Sequence, residues 1–186
     1  IVIKGPSGTG KTLAALALCD VARKQDGRLD VIPVGAGSDP SATLGLIETG
    51  PKLFYIEDPW GQFSLRGGSE AWTAQLPNLL RRAHPTHRYV VTSRSDMLGQ
   101  ANATKTLETW AVELDADHYR DGELASIYDK RMHLLAVHLQ PLALEFQADV
   151  LDKLQMPLEL DLFFTNLSDG PLKGEAHDDF LRRLLE

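Results

Sequence analysis

The sequence predicts an α/β protein with three layers, built around a parallel sheet of about five strands and followed by a small all-helical region. Three observations predict this fold. A glycine-rich loop, Gly5–Thr12, stands between a β-forming run and an apolar helical run. A strand-like run at 53–56 is apolar throughout, as in a parallel sheet covered on both faces, and it ends in two carboxylates. After residue 116, apolar residues recur at every third or fourth position, which indicates helices.

The glycine-rich loop reads Gly5-Pro6-Ser7-Gly8-Thr9-Gly10-Lys11-Thr12, which is the G-x-x-x-x-G-K-T pattern of P-loop NTPases. Its glycines allow the backbone to bend closely and to point several N–H groups at one anion. The helix that follows adds the positive end of its dipole. Lys11 would reach the β- and γ-phosphates, and the Thr12 hydroxyl would bind Mg²⁺. The loop therefore predicts a nucleotide-binding site.

A second motif follows the apolar strand, where Glu57 and Asp58 enter a turn before Pro59-Trp60-Gly61. Open α/β sheets place ligands beyond the carboxyl ends of their strands. In P-loop NTPases an acidic residue at this place supports Mg²⁺. We therefore expect Thr12, Glu57 and Asp58 to form the metal site. Either carboxylate would polarise the attacking water, and which of the two supports Mg²⁺ stays open.

The strand predicted at 88–94 ends in Thr92, Ser93 and Arg94. If it lies beside the strand at 53–56, these side chains emerge next to the acidic turn. Arg94 would then contact the γ-phosphate, the group that distinguishes ATP from ADP. The predicted catalytic residues are accordingly Lys11, Glu57, Asp58 and Arg94.

The remaining elements follow from periodicity and from helix-breaking residues. In the first part of the chain we expect a strand at 1–4, a helix at 11–24, an edge or bulged strand at 29–34 containing Pro33, a short helix from 38 or 39 through 47, an amphipathic helix at 69–82 and a fifth strand at 110–114. In the second part we expect helices at 124–138, 142–154, 157–167 and 175–185.

Charge is unevenly distributed and marks a boundary. Residues 1–116 carry 12 Lys/Arg and 12 Asp/Glu, whereas residues 117–186 carry 7 and 14, which accounts for the whole net charge of −7. We therefore expect a nucleotide-binding domain at 1–116 and a helical lid domain at 117–186. Neither has the clustered positive charge of a duplex-binding surface, which argues against direct nucleic-acid binding.

Several other features of the sequence bear on where the protein is located and on what precedes this segment. No run approaches the ~20 apolar residues of a membrane span. The single cysteine, Cys19, lies on the apolar stretch of the first helix and is expected in the core, which favours a reducing compartment and a cytoplasmic protein. Because Ile1 already belongs to the first strand, we expect a further segment before it.

With these motifs in order, the chain resembles the STAND class of signal-transducing ATPases, and most closely the bacterial branch called novel STAND type 3. The resemblance rests on the loop Gly5–Thr12, on 54–61 and on 90–94. The family's acidic motif often reads apolar-apolar-Asp-Asp-Pro-Phe-Gly. Here Glu57 stands for the first Asp and Trp60 for the Phe. Pro157 lies where the family's helical domain presents a proline against the nucleotide base.

The resemblance implies an ATP- and ADP-binding switch with an AAA+-like sheet and a helical lid. ADP would hold a closed monomer, and ATP exchange would permit homo-oligomerisation and activate an effector. The sensor and the effector would lie outside this sequence, and such proteins are often linked to defence against phage. Hydrolysis would depend on Mg²⁺ and would be slow, because a switch benefits from a long-lived bound state.

Two alternatives use the same loop. A small-molecule kinase would need an acceptor site and an arginine-rich lid, and no such segment is evident in the sequence. A DNA-directed AAA+ ATPase would show a basic pore or an arginine finger. Phosphoryl transfer to a small molecule would favour the first, and DNA-stimulated hydrolysis the second.

Overall fold

The computed structural model describes residues 1–35, 37–41, 43, 50–119, 122–172 and 174–184; of residues 177, 178 and 181 it describes the backbone. The first part of the chain alternates strands and helices, as predicted. The strands are β1 Val2–Gly5, β2 Asp30–Val34, β3 Lys52–Glu57, β4 His87–Arg94 and β5 Ala111–Glu113. The helices among them are α1 Lys11–Gln25, α2 Ser69–Arg81, α3 Ser95–Gln100 and α4 Thr104–Leu107.

All five strands are parallel and form one sheet in the order β2-β3-β4-β1-β5. The predicted parallel α/β fold is therefore confirmed. Pro33 lies in β2, at the edge of the sheet, where a strand residue can lack its N–H without breaking an internal ladder. Glu57 of β3 is paired with Thr92 of β4, so the two predicted polar strand ends are neighbours.

The sheet is covered on both faces, because alternate strand residues point to opposite sides. On one face, Phe54, Ile56 and Val91 pack with Trp72 and Leu76 of α2. The opposite face is covered by α1. The core on this face contains Ile3, Leu53, Tyr55 and Val90 of the strands, with Ala15 and Cys19 of α1. These two cores give the predicted three layers.

Two short helices, α3 and α4, were not predicted. They follow β4 directly and bury Met97, Leu98 and Leu107 against the α2 face of the sheet. Six and four residues are too few to show a helical period, so the apolar pattern of 95–107 gave no signal. The short helix predicted through residue 47 falls mostly outside the described residues.

The chain divides into two compact units, 1–114 and 115–186. The second unit is helical, with α5 Glu123–Leu134, α6 Gln140–Lys153, α7 Pro157–Asp169 and α8 His177–Arg183. Its core is aromatic: Tyr128 packs against Phe163 and Phe164, at centroid distances of 6.0 and 4.8 Å. That 1–116 and 117–186 are separate domains stays a prediction. In the described residues, no helix has the length and apolar character needed to span a membrane.

Candidate nucleotide site

The loop between β1 and α1 has the backbone that its glycines predict. Gly8 and Gly10 have φ angles of 82° and 78°, in the left-handed region that glycine adopts without strain. Gly5 is required for a different reason, since a Cβ atom there would lie 1.9 Å from the Leu114 carbonyl oxygen. Pro6 and Ser7 are exposed at the tip. Only glycine therefore allows the loop to curl this closely against the end of β5.

The start of α1 is open to an anion. Gly10 is its N-cap, and no side chain caps the helix there. The first N–H groups of a helix have no acceptor within the helix itself. With fifteen residues behind it, α1 also presents the positive end of a full helix dipole. A phosphate group at this position would satisfy both features.

Lys11 is folded back onto the loop. Its Nζ donates to the Pro6 carbonyl at 2.5 Å, and the Thr9 hydroxyl donates to the same oxygen at 3.0 Å. Only 8% of Lys11 is exposed, and this burial lowers the pKa of its ammonium group, while the nearby Asp58 charge acts in the opposite direction. A phosphate oxygen would be a far better acceptor for this cation than a neutral carbonyl. The side chain is therefore held close to where a phosphate would bind.

The acidic turn reaches the loop through Glu57. The Thr12 hydroxyl donates a hydrogen bond to Glu57 Oε1 at 2.9 Å. Thr12 lies in the first turn of α1 and Glu57 ends β3, so 45 residues of chain separate the partners. The structure thus brings together two of the three predicted metal-site residues, and it joins Glu57 rather than Asp58 to Thr12.

Asp58 has a different environment. Its φ of 43° lies in the left-handed region, which costs a non-glycine residue about 1–3 kcal/mol and which Asp tolerates better than most. Its N–H donates to the Thr92 carbonyl at 3.1 Å, and its carbonyl accepts from Gly61 N–H at 2.9 Å. Burial raises the pKa of its carboxyl group, although Lys11 and Arg94 attract the charged form. The turn therefore takes Asp58 out of the β3 alternation and places its carboxylate near both cations.

Trp60 anchors this turn. The side chain is fully buried, and its Nε1 donates to the Thr73 hydroxyl of α2 at 2.8 Å. The turn is closed behind it by Gly61, where a Cβ atom would lie 2.1 Å from the Ser64 carbonyl oxygen. The large aromatic residue at the family's Phe position thus fixes the turn that carries Asp58.

Arg94 lies at the end of β4, opposite Gly5 of β1 in the register. Its guanidinium group is held by Asp96, with Nε–Oδ1 and Nη2–Oδ2 distances of 3.0 and 2.7 Å. This pair raises the pKa of Arg94, and Asp58 adds to the effect. Because two of its five donors are used, Nη1 keeps its donors for another acceptor. Asp96, two residues after Arg94, was not identified from the sequence.

Three buried polar atoms at this edge have no hydrogen-bond partner among the described residues: Tyr55 OH, Asp58 Oδ1 and Thr92 Oγ1. Each unsatisfied buried group costs about 1–3 kcal/mol. They lie at the carboxyl ends of β3 and β4, where α/β sheets bind ligands. Unsatisfied polar atoms concentrated here indicate a surface that is completed by a ligand.

An open pocket of about 230 Å³ adjoins these atoms at the ends of β2 and β3. Its lining consists of Pro33, Val34, Gly35, Tyr55, Glu57, Asp58, Gln62 and Arg66. Across the described residues, no three His, Cys, Asp or Glu side chains converge on one point. A hydroxyl and two carboxylates suit Mg²⁺, which prefers oxygen ligands and keeps several waters and phosphate oxygens in its shell. The residues present therefore fit Mg²⁺ bound together with a nucleotide.

Pro157 is the first residue of α7, in the second unit. A proline is favoured at this position because a first-turn N–H has no helical acceptor. The preceding N–H groups, of Gln155 and Met156, both donate to Glu159 Oε2. This capping accounts for the proline locally, and its predicted contact with the base stays a prediction.

The sheet, the loop geometry and the site define a protein of the P-loop NTPase fold. Comparison with protein families gives a more particular assignment. The model of the family described as "Novel STAND NTPase 3" matches residues 1–134, and the chain belongs to that family. The chain is therefore a STAND NTPase module, and the resemblance noted in the sequence is confirmed. No curated protein sequence matched the chain.

Proposed function

We propose that this module is an ATP/ADP-binding switch with slow, Mg²⁺-dependent ATP hydrolysis. The single observation that carries the proposal is the 2.9 Å hydrogen bond from Thr12 to Glu57, which joins the phosphate loop to the acidic strand end. A carboxylate in this position orients the threonine hydroxyl toward a loop-bound metal and contributes negative charge beside it. Membership of the STAND NTPase family supports the same reading.

In this proposal the two carboxylates, between which the sequence left the metal-supporting role open, take different roles. Glu57, bonded to Thr12, supports Mg²⁺. Asp58, with its raised pKa and a buried oxygen that no described residue contacts by a hydrogen bond, polarises the attacking water. A carboxylate with a higher pKa is a better proton acceptor, provided that it is ionised.

Lys11 and Arg94 also take different roles in this proposal. Lys11 moves from the Pro6 carbonyl to the β- and γ-phosphates, where its charge neutralises the charge that develops during transfer. Arg94, oriented by Asp96, donates its remaining N–H groups to the γ-phosphate. Bound Mg²⁺ would supply further neutralisation at the phosphates. Only the γ-phosphate differs between the two nucleotides, so Arg94 gives ATP and ADP different binding free energies, which a switch requires.

Membership of the family supports a wider role for the module, which belongs to the same proposal. ADP holds a closed monomer, and ATP exchange permits homo-oligomerisation and activation of an effector that lies outside this sequence, in a cytoplasmic setting. Defence against phage is the proposed context. Pro157 of the helical unit contacts the base. A balanced charge on 1–116 and an acidic 117–186 argue against nucleic acid as the partner.

Calorimetric titration with Mg·ADP and with a non-hydrolysable Mg·ATP analogue tests this proposal. Lys11→Ala is expected to weaken both by about 100-fold, or about 2.7 kcal/mol, because it removes a charged donor to phosphate. Arg94→Ala is expected to weaken the ATP analogue by about 10-fold and to spare ADP. Lys24→Ala is the matched control, since Lys24 lies on the same helix but is exposed and paired with Asp20.

Each alternative has its own outcome. Equal losses for both nucleotides in Arg94→Ala would remove Arg94 from the sensing role. Rapid turnover in the absence of any partner would contradict a slow switch. DNA-stimulated hydrolysis would favour the AAA+ motor, and phosphoryl transfer to a small molecule the kinase.

A further inference from the structure

Tyr55 stands out among the buried residues of the sheet because its hydroxyl has no hydrogen-bond partner among the described residues. The residue is 8% exposed and belongs to the core that α1 covers. A phenylalanine would fill the same core without burying an unpaired hydroxyl. The position of this hydroxyl therefore requires an explanation beyond packing.

Strand alternation directs Tyr55 toward the candidate site. Tyr55 and Glu57 are two residues apart in β3, so both point to the face covered by α1. Their partners in the β4 register are Val90 and Thr92, which lie on the same face. Thr12, in the first turn of α1, approaches from above this face and donates to Glu57. Four polar groups from three elements thus converge.

The surroundings of the hydroxyl agree with this placement. Tyr55 lines the 230 Å³ pocket together with Glu57 and Asp58. Tyrosine has an ordinary pKa of about 10, so its hydroxyl is a hydrogen-bond donor at neutral pH. The Glu57 carboxylate in the same pocket is therefore an acceptor for the Tyr55 hydroxyl.

A hydrogen bond from the Tyr55 hydroxyl would help to fix the Glu57 side chain. Glutamate has one more rotatable bond than aspartate, so fixing its carboxylate costs more conformational entropy. Thr12 donates to one carboxylate oxygen, Oε1. A second donor on the same carboxylate would restrict its rotation and hold it in the orientation that serves the metal.

We propose that Tyr55 is a positioning residue of the nucleotide site, whose hydroxyl donates a hydrogen bond to the Glu57 carboxylate when Mg·nucleotide is bound and holds that carboxylate against Thr12. This inference rests on the proposed function, in which Glu57 supports Mg²⁺. It assigns the hydroxyl an effect on metal-dependent binding and none on the binding of metal-free nucleotide.

Tyr55→Phe tests the proposal with the loss of one oxygen atom. ADP affinity is measured by calorimetry, once with excess Mg²⁺ and once with EDTA. We expect Mg·ADP to bind about 5–10-fold more weakly and metal-free ADP to bind with unchanged affinity, because one hydrogen bond to a charged group is lost. Tyr89→Phe is the matched control: Tyr89 is also a buried sheet tyrosine, but it packs on the opposite face, stacked on Phe54.

A double-mutant cycle with Glu57→Asp identifies the partner. The shorter carboxylate withdraws from the Tyr55 hydroxyl, so the effect of Tyr55→Phe on Mg·ADP should shrink to less than 2-fold in that background. The same 5–10-fold loss in both backgrounds would show that the hydroxyl does not act through Glu57 and would overturn the proposal.

The remaining outcomes are equally decisive. Wild-type affinity of Tyr55→Phe in both conditions, or an equal loss with and without Mg²⁺, would overturn the role of Tyr55. The proposed function would survive either result if Lys11→Ala still weakened nucleotide binding by about 100-fold. If the wild-type protein bound no nucleotide with or without Mg²⁺, both the proposed function and this inference would fall.

Discussion

Two tyrosines, Tyr55 in the sheet and Tyr128 in the helical unit, show how differently the two units treat a buried polar group. Both are buried, and burial raises the pKa of each hydroxyl to about 12. The Tyr128 hydroxyl donates to the Ala143 carbonyl of α6 at 2.5 Å. The Tyr55 hydroxyl has no partner among the described residues. One completes a core, and the other lies at an edge that we propose a ligand completes.

The same contrast holds around each tyrosine. Tyr128 lies among Phe163 and Phe164, in a core built from apolar side chains. Tyr55 lies near Asp58, a residue with a strained backbone, and near Thr92, which is 1% exposed. Within the described part of the chain, Asp58 Oδ1 and the Thr92 hydroxyl both lack a hydrogen-bond partner. Strain and unsatisfied polar groups collect where function, rather than stability, selects the residues. The difference therefore separates a packed core from the edge where we propose that a ligand binds.

The largest expected effect comes from replacing Asp58, the proposed general base at the acidic end of β3. Asp58→Asn keeps the size of the side chain, and asparagine tolerates the left-handed backbone as well as aspartate does. We expect ATP hydrolysis to fall by about 10²–10⁴-fold, because a general base contributes about that much. Single-turnover measurements of phosphate release check this, with Mg·nucleotide affinity measured in parallel. Unchanged hydrolysis would assign the base elsewhere.

A smaller effect is expected on the free energy of unfolding when each of the two tyrosines is replaced by phenylalanine. Tyr128→Phe removes a satisfied buried hydrogen bond, and we expect the free energy of unfolding of the helical unit to fall by about 1–2 kcal/mol. Tyr55→Phe removes an unsatisfied hydroxyl, and we expect an unchanged or higher free energy of unfolding. Urea unfolding of each variant without nucleotide, followed by circular dichroism, measures both. Equal destabilisation by the two substitutions would contradict the contrast between a satisfied and an unsatisfied hydroxyl.

The smallest effect concerns pH and the stability of the protein without nucleotide. Because burial raises the folded-state pKa of Asp58, the stabilisation from its protonated form is present at acid pH and is lost as pH rises through that pKa. At neutral pH the wild-type protein bears the cost of a buried carboxylate, which Asp58→Asn lacks. The variant should therefore be more stable than wild type at pH 7, with the gain disappearing below the ordinary aspartate pKa of about 3.9.

Urea unfolding across this pH range measures the gain. An Asp58→Asn variant that is less stable than wild type at pH 7 would mean that the attraction of Lys11 and Arg94 for Asp58 exceeds the cost of its burial. The result separates the two electrostatic contributions at the site.

The sequence alone determined the fold class, and it predicted the principal residues of the candidate site. The loop Gly5–Thr12 requires glycine because of its backbone, and the apolar β3 run requires cover on both faces; both requirements are local and leave a local pattern. The same locality explains why Thr92, Ser93 and Arg94 were predicted beside Glu57: strand ends in a parallel sheet share one edge.

Only the tertiary structure decided which carboxylate meets Thr12, which acid holds Arg94 and where the Tyr55 hydroxyl lies. The first depends on a left-handed turn at Asp58, which is fixed by Trp60, a buried residue bonded to α2. The second depends on α3, a helix too short to show a period. In the sequence, Tyr55 is one more member of an apolar run. The place of its hydroxyl beside Glu57 and Thr12 depends on β3, β4 and α1 meeting on one face. A contact between elements that are far apart in the sequence cannot be predicted from the pattern of any one of them.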